Sequence, residues 1–236
     1  MLGKRYSGAT DQSGRQGGGN GRYVRIPGNE KQVFIVSDSL PNLEFPMKND
    51  EMEYSFLQNN RYCLNEYCLV PLREQDVELI RKWRNDQIHV LRQKKPLTEK
   101  EQHNYFSQVI LKSFNEDKPK CILFSFLFKN NCIGYGGFVN INWNIKSAEL
   151  SFLLDTKHAQ KAKIYQKEFS VFLELILGLN TEEIKFEVIA TETYDIRPLH
   201  IKILEDSGFK YIKRTRSLKK NIDGKIVDSI FHEYTN

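Results

Sequence analysis

The stretch Lys120–Asp155, KCILFSFLFKNNCIGYGGFVNINWNIKSAELSFLLD, decides the fold. It holds three largely apolar segments separated by turns at residues 130–131, Asn-Asn, and at residues 144–147. Short connections of this kind join neighbouring antiparallel strands. The sequence therefore predicts a three-stranded antiparallel meander made of Lys120–Lys129, Cys132–Trp143 and Ala148–Asp155.

The segment after the meander changes the way in which the strands pair. Large apolar residues recur at helical spacing from Tyr165 to Ile176, before a helix end near Gly178. The next apolar segment, Glu183–Thr191, predicts a strand, and its connection through a helix favours parallel pairing with Ala148–Asp155. Where antiparallel and parallel pairing meet, two neighbouring strands can separate and leave backbone groups available to a ligand.

Further elements lie on either side of this region. Residues 98–101, Thr-Glu-Lys-Glu, have the form of a capping box, which predicts a helix that runs to about Leu111. The other predicted elements are a strand at Cys68–Leu72, helices at Val77–Trp83 and from Pro198 to Gly208, and a hairpin of Phe209–Arg216 with Ile226–Tyr234 that turns near residues 223–224. The predicted fold class is α/β (α+β), with a mixed, splayed central sheet and helices on both faces.

The composition is that of a globular protein, with 40% hydrophobic and 28% charged residues. No apolar run approaches the roughly 18 residues of a membrane-spanning helix. The N-terminus lacks the apolar core of a secretory signal, so we expect a cytoplasmic protein. The net charge is +5, and residues 1–30 contribute +3 of it through five basic and two acidic residues. The remaining charge is too balanced for a nucleic-acid-binding domain, and we expect neither a nucleic-acid nor a membrane partner.

Four cysteines are present, and their spacing predicts no disulfide framework. Cys63 and Cys68 are five residues apart, with no second pair and no histidine at ligand spacing. The sequence therefore favours reduced, buried thiols over a structural zinc site.

The chain divides into three predicted regions. Residues 1–31 form a Gly/Arg-rich leader, because eight of the fourteen glycines lie in residues 1–28 and the segment cannot bury enough apolar surface to fold. A leader or expression remnant is favoured there over an RNA-binding tail. Residues 32–67 form an N-terminal extension, with a strand near Gln32–Val36, and residues 68–236 form the main domain.

Five short stretches keep an order and spacing that characterise one known family. They are Arg81–Asn85 (RKWRN), Thr98–His103 (TEKEQH), Ile133–Gly137 (IGYGG), Ala148–Phe152 (AELSF) and Ser207–Phe209 (SGF). Together with the order of elements, they resemble the GCN5-related N-acetyltransferase (GNAT) family. The resemblance covers roughly residues 68–235, and is strongest to the branch of ribosomal-protein N-terminal and nucleotide-amino-sugar N-acetyltransferases.

The resemblance implies acetyl-CoA as a co-substrate and no metal. It places the pyrophosphate of acetyl-CoA on the loop at residues 158–163, where Gln160 stands in place of the family's first glycine and two lysines add positive charge. It also implies that a backbone amide near the end of the strand Ala148–Asp155 binds the thioester carbonyl. The implied cofactor-binding residues are Leu153, Leu154, Gln160, Lys161, Ala162, Lys163, Ile164 and Arg197.

Glu149 is a carboxylate inside the otherwise apolar strand Ala148–Asp155. The resemblance places at this position the general base that deprotonates the attacking amine. The alternative is a strand-edge glutamate that faces solvent or pairs with Lys146. The family's tyrosine general acid is replaced by Leu204, and the nearby candidates for that role are Tyr165, Tyr194 and His200.

In this branch of the family, the end of the first helix borders the acceptor pocket. The implied substrate-binding residues are Arg84, Asn85, Tyr135, Phe138 and Asn140, whereas Trp83 is predicted to be core.

We therefore interpret the chain as an acetyl-CoA-dependent N-acetyltransferase that acts on a primary amine by direct attack. The stretch FVNIN, residues 138–142, favours a nucleotide-linked amino sugar as acceptor, with a protein N-terminal amine second. The alternative from another class is a catalytically inactive GNAT-like binding or scaffold module. The sequence leaves both a monomer and a homodimer open.

Overall fold

The computed structural model describes residues 52–222 and 225–236, with side chains at 52–216 and 226–236, and two short paired strands, β1 (Tyr23–Val24) and β2 (Phe34–Ile35). Apart from β1, the predicted leader lies outside the described residues, as does the predicted turn at residues 223–224. The strand β2 falls within the predicted strand at residues 32–36.

A mixed sheet forms the centre of the domain. Its strands are β3 (Tyr62–Leu64), β4 (Tyr67–Pro71), β5 (Ile122–Phe128), β6 (Asn131–Asn142), β7 (Ser147–Leu154), β8 (Val188–Tyr194), β9 (Lys210–Ile222) and β10 (Lys225–Thr235). Within the described residues the sheet has eight strands in the order β3-β4-β5-β6-β7-β8-β10-β9. The meander β5–β6–β7 is antiparallel and β7 pairs with β8 in parallel, as the sequence predicts.

The helices connect these strands. They are α1 (Val77–Asp86), α2 (Glu99–Tyr105), α3 (Leu111–Ser113), α4 (Thr156–Ala159), α5 (Ala162–Leu179) and α6 (Pro198–Asp206), with short 3₁₀ turns at Glu74–Asp76 and Ile88–Val90. The predicted capping box forms at the start of α2, where the Glu101 amide donates to Thr98 Oγ1 at 3.2 Å and the Thr98 amide donates to Glu101 Oε2 at 2.9 Å. A π-helical turn at Phe106–Ile110 joins α2 to α3.

The predicted start of the strand at Glu183 is wrong. After α5 the chain continues through a π-helical turn, Asn180–Ile184, which ends at Lys185 with φ of +67°. The reason is the side chain of Asn180, which accepts from the Phe186 amide at 2.8 Å and donates to the Phe186 carbonyl at 3.0 Å. These bonds hold the helix end against the segment that leads to β8, so the strand begins at Val188.

Close packing explains one glycine of the meander. A Cβ atom on Gly136 in β6 would lie 2.3 Å from the Ser151 carbonyl oxygen and 2.6 Å from Cζ of Phe172. Glycine at this position therefore lets β6 lie close to both β7 and α5.

The two faces of β7 support different layers of the fold. On one face Phe152 packs against Phe169 and Phe172 of α5, with ring centroids 4.6 and 4.5 Å apart. Because side chains alternate along a strand, Glu149 and Leu153 point to the opposite face, on which α1 contacts β7. Groups on the two faces of this strand therefore meet different helices.

The C-terminal part of the predicted extension belongs to the same core as the main domain. Tyr54 is fully buried, and its hydroxyl donates to the Leu123 carbonyl at 3.0 Å and accepts from the Leu123 amide at 2.7 Å. Tyr62 donates to Glu183 at 2.6 Å. Residues from Tyr54 onward, on the N-terminal side of the predicted boundary at residue 68, therefore pack against β5 and the end of α5.

The prediction of reduced thiols at Cys63 and Cys68 is also wrong. The β3–β4 hairpin pairs these residues directly, with their Cα atoms 4.1 Å apart, and they form a disulfide bond. Cys121 and Cys132 are free thiols, as predicted. No helix in the described ranges combines the length and the apolar character that crossing a membrane requires.

Candidate active site

A gap opens between β7 and β8 at the centre of the sheet. The two strands are paired at Ser147 with Val188, Ala148 with Ile189 and Glu149 with Ala190, and at no later position of these two described strands. Beyond Glu149 each strand stays paired on its outer side, β7 with β6 and β8 with β10. The strands therefore splay at the change from antiparallel to parallel pairing, as the sequence predicts.

The splayed strands border an open cleft, whose empty space is about 590 Å³ when the part open to solvent is included. One set of lining residues comes from the face of α1 and the segment after it: Val90, Leu91, Arg92, Glu149, Ser151, Glu192 and Tyr194. The other set comes from the face of α5 and α6: Leu150, Phe152, Phe169, Thr191, Thr193, Arg197, His200 and Leu204. The cleft is thus lined from both faces of the sheet, so two reactants can approach the gap from opposite sides.

The backbone of β7 turns alternate amides into the gap. The Asp155 amide donates to the Ile133 carbonyl beyond the end of β6 at 2.7 Å, and the β6–β7 register is regular from there back to Glu149. Because hydrogen-bonding directions alternate along a strand, the Leu153 amide also faces β6. The amides of Phe152 and Leu154 face the gap. Of the two amides predicted to bind a carbonyl, that of Leu154 faces the gap between β7 and β8, and that of Leu153 faces β6.

Glu149 lies at the point where the strands separate. Its side chain is 18% exposed and forms an ion pair with Arg92, which follows the turn after α1. Asn140, at a bulge in β6 with φ of +51°, donates to the Glu149 carboxylate at 2.8 Å. The alternative pairing with Lys146 does not form, because Lys146 binds Glu187 at 2.9 Å.

A second carboxylate faces Glu149 across the gap. Arg92 bridges the two strands, since it also binds Glu192 of β8 at 3.0 Å. Ser229 of β10 donates to the other oxygen of Glu192 at 2.7 Å. Sequence reasoning missed Arg92 and Glu192, because their relation to Glu149 depends on the register between β7 and β8.

Three side chains form a hydrogen-bonded row on the other face. Arg197, at the start of α6, donates to the hydroxyl of Tyr165 at 2.6 Å, and this hydroxyl lies 2.6 Å from Nδ1 of His200. The His200 ring stacks on Phe169 at 4.3 Å. Burial, with the nearby charges of Arg197 and His232, holds the pKa of His200 well below its usual value, so the imidazole is neutral at pH 7. Burial also raises the pKa of Tyr165, against the influence of Arg197.

The start of α5 offers uncapped amides beside two lysines. Lys161 occupies the N-cap position without a side-chain cap, and Lys161, Ala162 and Lys163 are exposed. Gln160 has φ of −73°, so this position adopts a conformation that any residue can take and does not require glycine. The first-turn amides of a helix lack intrahelical partners and favour anions.

Several predicted acceptor residues are occupied elsewhere. Arg84 binds the hydroxyl of Tyr135 at 2.5 Å, and Asn85 holds both backbone groups of Leu97. Phe138 is fully buried against Phe186, on the α5 face of the sheet. Its prediction as a substrate contact is therefore not supported by its position, because strand alternation points it away from Tyr135 and into the core. Of the five predicted acceptor residues, Asn140 lies against Glu149 at the cleft.

The described residues contain no group of three or more His, Cys, Asp or Glu side chains placed to hold a metal ion. Trp83, predicted as core, is buried. Leu204 is fully buried in the cleft wall, one helical turn after His200.

Comparisons with known proteins identify relatives of this fold. The family model of the acetyltransferase (GNAT) domain matches residues 69–231. No curated protein sequence matches the chain. A solved spermidine N-acetyltransferase from Vibrio cholerae, in complex with CoA and spermine, is similar with a TM-score of 0.61 and 15% identity, over 73% of this chain and 96% of that chain. An N-acetyltransferase from Staphylococcus aureus is similar with a TM-score of 0.55 and 15% identity, over 72% and 98% of the two chains. At these identities the likeness shows the fold.

Proposed function

The chain belongs to the acetyltransferase (GNAT) family, and we propose that it transfers the acetyl group of acetyl-CoA to a primary amine of a small molecule. One observation carries the proposal. The gap between β7 and β8 has a carboxylate, Glu149, on one face of the sheet and strand amides turned inward from β7. A base for an amine and donors for a thioester carbonyl therefore border one cleft.

The donor half of the cleft suits acetyl-CoA. We assign the carbonyl oxygen of the thioester to the inward amides of Phe152 and Leu154, which can also meet the negative charge that develops on this oxygen. The pyrophosphate fits the uncapped start of α5, where the amides of Ala162, Lys163 and Ile164 and the charges of Lys161 and Lys163 attract an anion.

An unsatisfied hydroxyl supports a ligand in the cleft. Thr191 lines the cleft from β8, and its buried Oγ1 has no hydrogen-bond partner among the described residues. Most buried polar atoms have a partner, so a group of this kind in a cleft wall is a natural contact for a bound molecule.

The reaction needs a deprotonated amine held against the thioester. Glu149 accepts the proton, directly or through water, as the amine nitrogen bonds to the carbonyl carbon. The carbon–sulfur bond then breaks, and CoA leaves as a thiolate. Before the acceptor binds, Arg92 forms an ion pair with the Glu149 carboxylate. The incoming amine replaces the Arg92 guanidinium at this carboxylate. Because both reactants are already bound in the cleft, the chemical step no longer includes the entropic cost of bringing them together.

A nucleotide-linked amino sugar is our first candidate acceptor. Such a molecule presents one amine and a diphosphate, and the face of the cleft that holds Glu149 contains both kinds of partner: the carboxylates of Glu149 and Glu192, and the guanidinium group of Arg92. Once an amine displaces Arg92 from Glu149, the Arg92 guanidinium is placed to bind a phosphate oxygen.

A polyamine is the second candidate. Two carboxylates, Glu149 and Glu192, face one cation from opposite strands, which is an arrangement that also suits two ammonium groups of one molecule. The solved relative from Vibrio cholerae carries spermine, although its low identity supports the fold alone.

The direct test is release of CoA thiol from acetyl-CoA in the presence of a panel of amines. The panel contains nucleotide-linked amino sugars, spermidine and a peptide with a free N-terminus. We expect a small-molecule amine to accelerate thiol release and to appear acetylated by mass spectrometry. Binding of acetyl-CoA without transfer to any amine would instead support the scaffold module, and a thermal shift with acetyl-CoA measures that binding.

A further inference from the structure

The row Arg197–Tyr165–His200 fixes where the protons lie. A guanidinium has no acceptor, so Arg197 donates to the Tyr165 oxygen. The tyrosine hydroxyl then directs its single proton to Nδ1 of His200, 2.6 Å away. Nδ1 therefore carries no proton, and a neutral ring must carry its proton on Nε2.

His200 lies in the wall of the cleft. The residue is 8% exposed and lines the cleft, while its Nδ1 is used by Tyr165. Its ring lies on Phe169, which stacks on Phe152, the strand residue whose amide faces the gap. His200 thus lies in the half of the cleft assigned to acetyl-CoA, on the face of the sheet opposite Glu149.

We propose that His200 is a catalytic hydrogen-bond donor whose Nε2–H stabilises the sulfur of CoA as the thiolate leaves, and that Tyr165 and Arg197 are positioning residues that fix its tautomer. This inference rests on the proposed acetyl transfer. The new bond joins the amine nitrogen to the carbonyl carbon, the broken bond is carbon–sulfur, and the bonding pair stays on sulfur. The amine's proton passes to Glu149, and the thiolate accepts the hydrogen bond from Nε2.

His200 keeps its proton in this step. A neutral imidazole can pass on its Nε2 proton if Tyr165 replaces it at Nδ1. An ordinary thiol has a pKa of about 8.5 and an ordinary tyrosine about 10, and burial raises the pKa of Tyr165 further. Proton transfer from the tyrosine to the thiolate is therefore unfavourable. His200 therefore donates a hydrogen bond to the thiolate without transferring its proton. The thiolate takes its proton from solvent after CoA leaves.

Two substitutions at His200 test the donor. His200→Leu removes the N–H group, and we expect the turnover number to fall about 10- to 100-fold, at or below the usual effect of deleting one such donor. His200→Gln can place an amide N–H near the position of Nε2, and we expect it to recover about tenfold of the lost rate. The dissociation constant for acetyl-CoA should change less than about threefold in both variants, since the proposed bond strengthens as charge develops on sulfur.

Equal turnover in His200→Leu and the unmodified protein would overturn the inference. Equal losses in both variants, together with weaker acetyl-CoA binding, would also overturn it and assign His200 a packing role. If the unmodified protein transfers acetyl to no amine, the proposed function fails instead, which distinguishes the two claims.

Bound CoA gives a readout that needs no acceptor. The thiol of CoA should have a lower pKa in complex with the unmodified protein than in complex with His200→Leu, measured from the ultraviolet absorbance of the thiolate. Equal thiol pKa values in the two complexes would contradict the proposed role of His200 as a hydrogen-bond donor to sulfur.

Nitrogen NMR of the unmodified protein tests the tautomer without any substitution. We expect a neutral His200 ring at pH 7 with its proton on Nε2, and a mixture of tautomers in Tyr165→Phe. A proton on Nδ1, or a charged ring at pH 7, would overturn the assignment.

Discussion

Because His200 is neutral in the folded state, we expect the free energy of unfolding to decrease at acidic pH. Its pKa is depressed in the folded state by burial, whereas in the unfolded chain it lies near 6.5. The unfolded state therefore binds more protons below about pH 6.5, and the free energy of unfolding decreases as the pH falls through that value. The stabilisation is fully present above this pH and is lost progressively towards the folded pKa.

Urea unfolding between pH 7.5 and pH 5 measures this effect. We expect the free energy of unfolding to fall with a slope approaching about 1.4 kcal/mol per pH unit from this one group. His200→Gln has no titrating ring and should show a shallower slope by that amount. Parallel slopes in the two proteins would mean that His200 does not titrate between the two states in this range.

Single residues of the site differ in how far the sequence predicts them. Glu149 stands out because a charged residue interrupts an apolar strand, and alternation assigns it to one face. Arg92 and Glu192 carry no comparable signal, since a charged residue on an exposed segment or a strand is ordinary. Their significance comes from the register between β7 and β8, which a local pattern does not contain.

At the scale of elements, the start of α5 tests how acetyl-CoA is bound. If Lys161 and Lys163 supplement its uncapped amides, changing both to alanine should weaken acetyl-CoA binding about threefold to tenfold and reduce its dependence on salt. Calorimetric titration at two ionic strengths measures both quantities.

A matched control uses Lys118 and Lys120, which are exposed in the loop before β5. The same double change there removes two positive charges from another part of the surface, and we expect it to leave acetyl-CoA affinity nearly unchanged. Equal affinity and equal salt response in the Lys161 and Lys163 variant would assign the phosphates to amides alone, or to another site. Equal weakening by both pairs would indicate a general effect of net charge.

Elements with a strong local signal are the ones that sequence reasoning predicts well. The capping box, the meander and the glycine-terminated helix before Phe209 all form as predicted. The sequence predicts the start of β8 too early because Asn180, a residue that is common at helix ends, here bonds to Phe186 and lets the helix continue. That bond is set by tertiary packing.

At the scale of the whole molecule, we expect residues 1–30 to be dispensable for folding and for acetyl-CoA binding. Deleting residues 1–30 should leave the melting temperature and acetyl-CoA affinity nearly unchanged, because the sequence of this segment contains few apolar residues that could join a core. Differential scanning fluorimetry with and without acetyl-CoA measures both. A large loss of either would show that the segment packs on the domain or reaches the cleft.

The overall topology follows from the sequence to a large extent because each connection limits the pairing. Short turns specify the meander, and the helix between β7 and β8 favours parallel pairing, which the structure shows. The cleft itself follows from this mixed topology. The contribution of Tyr54 to the core was not predicted, because isolated apolar residues among prolines and charges give no periodic signal.

The most direct test of the account is the turnover number of Glu149→Gln with acetyl-CoA and the preferred amine. Glutamine keeps the size and hydrogen-bonding reach of glutamate but cannot accept the amine's proton, so we predict a loss of about 10²- to 10⁴-fold, with acetyl-CoA binding and folding nearly unchanged. The loss should shrink as the pH rises, because solvent then supplies more amine that is already deprotonated. Full activity in the variant would contradict the account, as would a collapse of stability without a selective effect on the rate.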